Sequence, residues 1–198
     1  MALPGIAQAQ MLAAILAGVL DRTAPRSIAL LGCAGGNGFA NISPAITRRV
    51  VGIDLNPRYV AQARARYEGR FRSLELYVAD IQKDAVAIEP VDLVFAALIL
   101  EYVDVEAVIA RTRCMLGPEG RLVTVVQLPS AASAKVTPSP FTSLQVLADF
   151  MCLVPPDRVL RAARSHGYIE SDSRIVESAG GKQFQVQGFM AVGPIKQP

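Results

Sequence analysis

The stretch Ser27–Phe39, SIALLGCAGGNGF, carries an apolar, strand-forming run directly into four glycines at positions 32, 35, 36 and 38. Glycine loses more backbone freedom on folding than any other residue, so such a cluster marks positive φ angles or the close approach of another group. A strand that ends in glycines asks for a tight turn, a ligand, or both.

Further along the chain the same type of run recurs: RVVGID (49–54), LELYVAD (74–80), VDLVFAAL (91–98) and GRLVTVVQL (120–128) each read as strands. Apart from LELYVAD they are nearly continuous apolar runs, as expected of strands covered by helices on both faces. LELYVAD alternates and is expected nearer a sheet edge. Helices fill the gaps. Asn56–Tyr67 opens with an N-cap asparagine followed by proline, and Asp104–Leu116 places Val105, Val108, Ile109, Thr112 and Leu116 at helical spacing before GPEG closes it. Ahead of the first strand, Leu12, Ile15, Leu16, Val19 and Leu20 form one apolar stripe, read as a helix that covers the core.

Pro44, in FANISPAITRR, predicts that any helix after the glycine loop is brief or broken. Beyond Leu128 comes a Pro-, Ser- and Ala-rich loop, then helices around Leu144–Met151 and Pro156–His166, the latter stopping at Gly167. Two antiparallel strands around the turn AGGK end the chain, over 167–178 and 182–193. The expectation is a doubly wound α/β domain. Its seven-stranded sheet is mostly parallel, with helices on both faces and an antiparallel C-terminal hairpin.

Composition narrows the function. The chain has 198 residues, 52% hydrophobic and 19% charged, with a net charge of +3, which suits one domain with a sizeable core. The apolar run MLAAILAGVL (11–20) is shorter than the roughly 20 residues that cross a bilayer, and no Lys or Arg precedes it, so neither a membrane span nor a charged leader is expected. Cys33, Cys114 and Cys152 have neither metal spacing nor a disulfide pattern, and no metal site is expected. The reading is a cytoplasmic protein. The arginine-dense stretch Arg58–Arg72 could touch phosphates, but as a solvated helix face it disfavours a nucleic-acid partner.

Ligands of open parallel sheets bind at the carboxyl ends of the strands, where strand order reverses. No Gly-Lys-Ser or Gly-Lys-Thr follows the glycines, and Asn41 stands where the third glycine of GxGxxG would fall, so neither a P-loop nor the dinucleotide fingerprint is met. Asp54, closing the second strand, can accept from both hydroxyls of a ribose, and Asp80, closing the third, is suited to an adenine amino group. Together they imply an adenosine-containing ligand.

In this respect residues 27–128 resemble the class I methyltransferases that use S-adenosylmethionine. LLGCAGGNGF looks like that family's glycine loop, VVGIDLNP its ribose-binding acid, VADI its adenine segment, VDLVFAALILEYV its fourth strand and turn, and MLGPEGRLVTVV its fifth strand. The resemblance implies S-adenosyl-L-methionine as cofactor, with Gly32, Ala34 and Gly36 against its methionine part, Asp54 on the ribose, Leu55 and Ile81 around adenine, Asp80 on the amino group, and Ala97 offering backbone contact. It divides the single domain 1–198 into an N-terminal helical segment (1–26), a cofactor-binding core (27–128) and a substrate-facing segment with the hairpin (129–198).

Two residues depart from the family pattern: Leu30 stands where many members have an acid near the cofactor's amino group, and Ala34 where they have glycine. The implied reaction is in-line methyl transfer to a small-molecule acceptor, which needs no obligatory catalytic side chain. The alternative is a cofactor-binding relative that has lost catalysis. Glu101 and Tyr102 are candidates either for general-base work or for a surface acid and lid aromatic. Tyr102, Phe141 and Phe150 are candidate acceptor contacts, or members of a small satellite core. His166 at a helix end reads as a dipole partner, and Cys33 as a small residue fitted into the loop.

Overall fold

A computed structural model of the chain describes residues 4–129 and 151–193. The five apolar runs form parallel strands: β1 (Ser27–Leu31), β2 (Arg49–Asp54), β3 (Ser73–Val78), β4 (Val91–Ala97) and β5 (Leu116–Gln127). The hairpin strands β6 (Tyr168–Glu177) and β7 (Gln183–Ala191) complete one sheet of order β3-β2-β1-β4-β5-β7-β6. The last strand in sequence thus inserts antiparallel to β5, and β6 takes the edge. Strand order reverses between β1 and β4, which opens the crevice where doubly wound sheets take ligands. The alternating strand β3 lies at the opposite edge with every residue at least partly exposed, as its pattern predicts.

Because side chains alternate along each strand, the sheet feeds two apolar layers. Ala29, Leu31, Val51, Ile53, Val94, Ala96 and Leu122 meet helix α3 (Val105–Met115) and helix α4 (Pro156–Ser165) on one face. Ile28, Leu30, Val50, Leu93, Phe95 and Val123 meet helix α1 (Pro4–Thr23) and Phe39 on the other. The caps read from the sequence are present. Asn56 Oδ1 accepts the Arg58 N–H at 3.0 Å to start helix α2 (Pro57–Tyr67), and Asp104 Oδ1 accepts the Ala107 N–H at 2.7 Å to start α3. Either cap contributes about 1 kcal/mol. An Arg158–Glu106 pair at 2.7 Å joins α4 to α3.

Where Pro44 predicts a broken helix, only the 3₁₀ turn Phe39–Asn41 forms. That segment is anchored by the fully buried ring of Phe39, which stacks at an angle on Tyr67 with centroids 5.2 Å apart. The boundaries of β3 and β5 differ from the sequence reading. β3 stops at Val78, so Asp80 lies in the following turn, and β5 starts at Leu116, with a register shift where Gly117–Gly120 intervene opposite β4. Among the described residues no helix is long and apolar enough to cross a membrane, no cluster could hold a metal ion, and the three cysteines are free. The expected helix around Leu144–Met151 lies almost wholly outside the described residues.

Candidate functional site

After β1 the chain turns sharply. The N–H groups of Gly32 and Cys33 both donate to the Ile53 carbonyl, at 2.8 and 3.2 Å, and Gly36 and Asn37 fold back onto the Cys33 carbonyl. Most of the glycines in this loop answer to the protein itself. A Cβ on Gly35 would lie 2.3 Å from Gln62 Oε1, one on Gly36 would lie 2.5 Å from the Tyr67 ring, and one on Gly38 would lie 2.6 Å from Leu16. Helices α1 and α2 therefore press against the loop at three of its four glycines. Gly32, at φ +67°, faces Ile99 across the β1/β4 crevice, and so belongs to the carboxyl edge of the sheet.

Arginines of α2 and the turn after it brace the same loop: Arg66 donates to the Gly35 carbonyl at 3.2 Å and Arg70 to the Ala40 carbonyl at 3.1 Å. The arginine-dense stretch thus serves the loop as well as presenting charge to solvent.

Asp54 ties the loop to β2. Its Oδ2 accepts the Ala34 N–H at 2.7 Å and its Oδ1 the Asn56 N–H at 2.9 Å. The first bond holds Ala34 at φ +46°, in the left-handed region that L-residues seldom enter. Each carboxylate oxygen has a second acceptor site, so both can receive further donors from a ligand. Beside Asp54 the surface is apolar and open: Leu55 is 68% exposed, and Val78, the partner of Asp54 in the β2–β3 ladder, 53%. Val78 was not singled out in the sequence, although its place at the end of a strand beside that of Asp54 is the signal that finds it.

Asp80 shapes its own turn. Its Oδ1 accepts the Gln82 N–H at 3.0 Å and its Oδ2 pairs with Lys83 at 3.3 Å. The Gln82 bond first, and then Lys83, hold its carboxyl below the usual carboxylate range. Ile81 is buried under this turn. Gln82, also missed by sequence reasoning, accepts the N–H of Asp104 at 2.8 Å and fixes the turn to the start of α3. Arg111 strengthens the joint by donating to the Gln82 and Asp84 carbonyls.

At the end of β4, Ala97 is half-buried, and Leu98 takes φ +55° with its N–H on the Val125 carbonyl at 2.9 Å. Left-handed alanine and leucine thus flank the crevice from β1 and β4, an uncommon strain of the kind that collects at ligand sites. Glu101 is 1% exposed. Its Oε1 accepts the Gln127 N–H at 2.7 Å and its carbonyl accepts the Cys152 N–H at 2.9 Å, while Oε2 has no partner among the described residues. Burial, only partly offset by the Gln127 bond, pushes this carboxyl up to about 7. Tyr102 beside it is half-buried, and burial first, then the Glu101 charge, raises its hydroxyl.

The structure therefore brings Gly32, Ala34, Asp54, Leu55, Asp80, Ile81, Ala97 and Tyr102 to one edge of the sheet, at or just beyond the ends of β1 to β4. Gly36 stands within the loop with its Cα side turned to α2. Phe141 and Phe150 lie outside the described residues. Cys33 is buried, and burial first, then the Asp54 charge, pushes its thiol up to about 12, which removes it as a nucleophile. His166 caps the end of α4, its N–H on the Ala162 and Ala163 carbonyls.

Residues 30–124 match the family model described as a methyltransferase domain. No curated protein sequence matches the chain significantly. Among solved structures, the N-methyltransferase NodS from Bradyrhizobium japonicum WM9, in complex with S-adenosyl-l-homocysteine, is similar with a TM-score of 0.66 at 21% identity, over 92% of this chain and 84% of that one. Magnesium protoporphyrin IX methyltransferase (ChlM) from Synechocystis PCC 6803, with bound SAH, is similar with a TM-score of 0.70 at 13% identity, over 94% of this chain and 84% of that one. A structure described as the [4+2]-cyclase SpnF reaches 0.70 at 14% identity, over 91% and 82%. At these identities the likeness establishes the fold.

Proposed function

We propose that the chain, whose residues 30–124 match a methyltransferase-domain model, is a class I, S-adenosylmethionine-dependent methyltransferase that methylates a small-molecule acceptor at the carboxyl edge of the sheet. One observation carries the placement. The Asp54 carboxylate, with acceptor capacity left on both oxygens, stands between the left-handed Gly32–Ala34 turn and the exposed apolar pair Leu55 and Val78. A hydroxyl-rich sugar with a flat apolar base fits that combination of acceptor and open hydrocarbon. The neighbours described as an N-methyltransferase and a magnesium protoporphyrin IX methyltransferase support a small acceptor.

When bound, the cofactor supplies a methyl group on a cationic sulfur and departs as a neutral thioether. What remains for this chain is binding and positioning. Asp54 would hold the ribose hydroxyls, Leu55, Val78 and Ile81 would enclose the base, Asp80 would meet its amino group, and Gly32 with Ala34 would leave room for the methionine part. On the acceptor side, Tyr102, at the end of the short turn that follows β4, would meet the acceptor. Glu101, closed off from solvent, acts through the segments it joins: the turn after β4, the end of β5 and the backbone at Cys152. Holding an acceptor in line with the methyl accounts for about 7–11 kcal/mol of a displacement barrier.

S-adenosylhomocysteine at a hundredfold excess over its Kd is expected to stabilise the native state by about 2.7 kcal/mol, read as a rise in Tm, while NAD leaves Tm unchanged. A rise with NAD alone would overturn the cofactor assignment. Because the fold also serves a protein described as a cyclase, turnover should be read as S-adenosylhomocysteine released from S-adenosylmethionine across a panel of amine and hydroxyl acceptors.

Asp54→Ala tests the site at its centre. It removes the ribose acceptor together with the bonds to Ala34 and Asn56, so Tm of the free protein falls and S-adenosylhomocysteine binds at least tenfold more weakly, at ~1.5–3 kcal/mol per charged hydrogen bond. Asp54→Asn keeps one oxygen and loses less. Unchanged affinity in the alanine variant, titrated well below its Tm, would refute the ribose assignment.

A further inference from the structure

A recess of about 50 Å³ opens on the face of the sheet that carries α1. It sits beside the end of that helix, well away from the crevice: Arg121, on its wall, precedes Val125 by four residues, roughly 13 Å along β5. The recess exists because β7 has Gly188 there, between Val123 of β5 and Asp172 of β6, and no side chain rises from the middle strand. Its charged walls are three arginines against one aspartate, Asp172. Arg22, Arg121 and Arg174 all line it, and of these only Arg174 is neutralised, by Asp172.

Arg22 and Arg121 make no hydrogen bond or ion pair among the described residues. For Arg22, on the exposed last turn of α1, water and the helix dipole are sufficient company. Arg121 is different. It is half-buried on an inner strand, flanked in the ladders by fully buried Leu93 and by Met190, and it has lost part of its hydration without gaining an acceptor. A partly desolvated guanidinium of this kind is stabilised by a counter-charge, and its planar fork suits an oxygen anion.

We infer that this recess is a second ligand site, which takes one oxyanion of carboxylate or phosphate size between Arg22 and Arg121. The apolar wall provided by Val19 and Val123 admits an oxyanion attached to a short hydrocarbon as readily as a free one. Asp172 faces the same recess, but its pairing with Arg174 leaves the two free guanidiniums a net charge of +2 over the site. The inference is independent of methyl transfer and of the residues assigned to the cofactor.

Inorganic phosphate and sodium acetate are the probes, titrated calorimetrically and by Tm at constant ionic strength against chloride. Saturable binding of either one is expected, weakened at least tenfold by Arg121→Gln and several-fold by Arg22→Gln, and unaffected by Arg72→Gln at an exposed position elsewhere. Phosphate binding tighter than acetate identifies a phosphorylated ligand, and the reverse a carboxylate. The rise in Tm with S-adenosylhomocysteine should be the same in wild type and in Arg22→Gln, whose position at a helix end keeps the fold intact even if Arg121→Gln does not. No saturable binding of either anion, or equal weakening in Arg72→Gln, overturns the inference.

Discussion

Leu30→Asp is expected to destabilise the protein by about 4 kcal/mol or more, and in a domain of ordinary stability to leave little of it folded at 37 °C. The family resemblance suggests the opposite, since an acid at this position could restore a contact with the cofactor's amino group. The structure decides between the two. Leu30 is 4% exposed on the inner strand β1, between Gly52 of β2 and Phe95 of β4, and it packs in the layer formed with Leu16, Phe39 and Ile42.

Deleting a buried leucine side chain costs ~2–5 kcal/mol, and a carboxylate adds the penalty of a charge placed among hydrocarbon. Leu30→Met, which conserves volume, should cost less than ~1.5 kcal/mol. Urea denaturation of the three proteins orders them. A Leu30→Asp protein that keeps its midpoint and binds S-adenosylhomocysteine more tightly would show that Leu30 can turn toward the cofactor after all.

Glu101→Gln is expected to remove a pH dependence of stability worth about 3 kcal/mol. Burial raises this carboxyl from 4.5 to about 7, against the smaller opposing effect of the Gln127 N–H. Between those two values the native state retains a proton that the unfolded chain has released, so wild-type stability falls as pH rises from 4.5 to 7, and the loss is complete above the native value. A shift of that size corresponds to about 3 kcal/mol.

Glutamine keeps an oxygen for the Gln127 N–H and carries no charge at any pH. The two proteins should therefore have similar stability near pH 4, and the variant should be the more stable by about 3 kcal/mol at pH 8. Urea midpoints measured from pH 4 to 8 test this, and parallel curves would mean that the native carboxyl titrates as it does in the unfolded chain. With the variant's fold secured at pH 8, any loss of turnover without loss of S-adenosylhomocysteine affinity reports how the Glu101 joint positions the acceptor side.

What could be read from the chain alone is what neighbouring residues impose on one another. The apolar runs of β1, β2, β4 and β5, the alternation that sends β3 to an edge, the Asn56 and Asp104 caps and the Pro44 break depend on contacts within a few positions, and periodicity and composition record them. Asp54 was legible because strand-end position follows from the same local pattern. Its hold on Ala34, 20 residues away, was not.

Tertiary packing decided the rest. A glycine in sequence states only that a side chain is missing; that Gln62, Tyr67 and Leu16 fill the space beside Gly35, Gly36 and Gly38 follows from how α2 and α1 lie on the sheet. Leu30 and Leu31 are equivalent as letters, yet the pleat sends one to the α1 layer and the other to the α3 layer. Glu101 reads in sequence as a candidate general base or a surface acid, and becomes a buried, proton-retaining acid only when the end of β5 and the backbone at Cys152 close over it. Burial and its electrostatic consequences are set by residues distant along the chain, whose approach is determined by the packing of whole layers and leaves no local periodic trace.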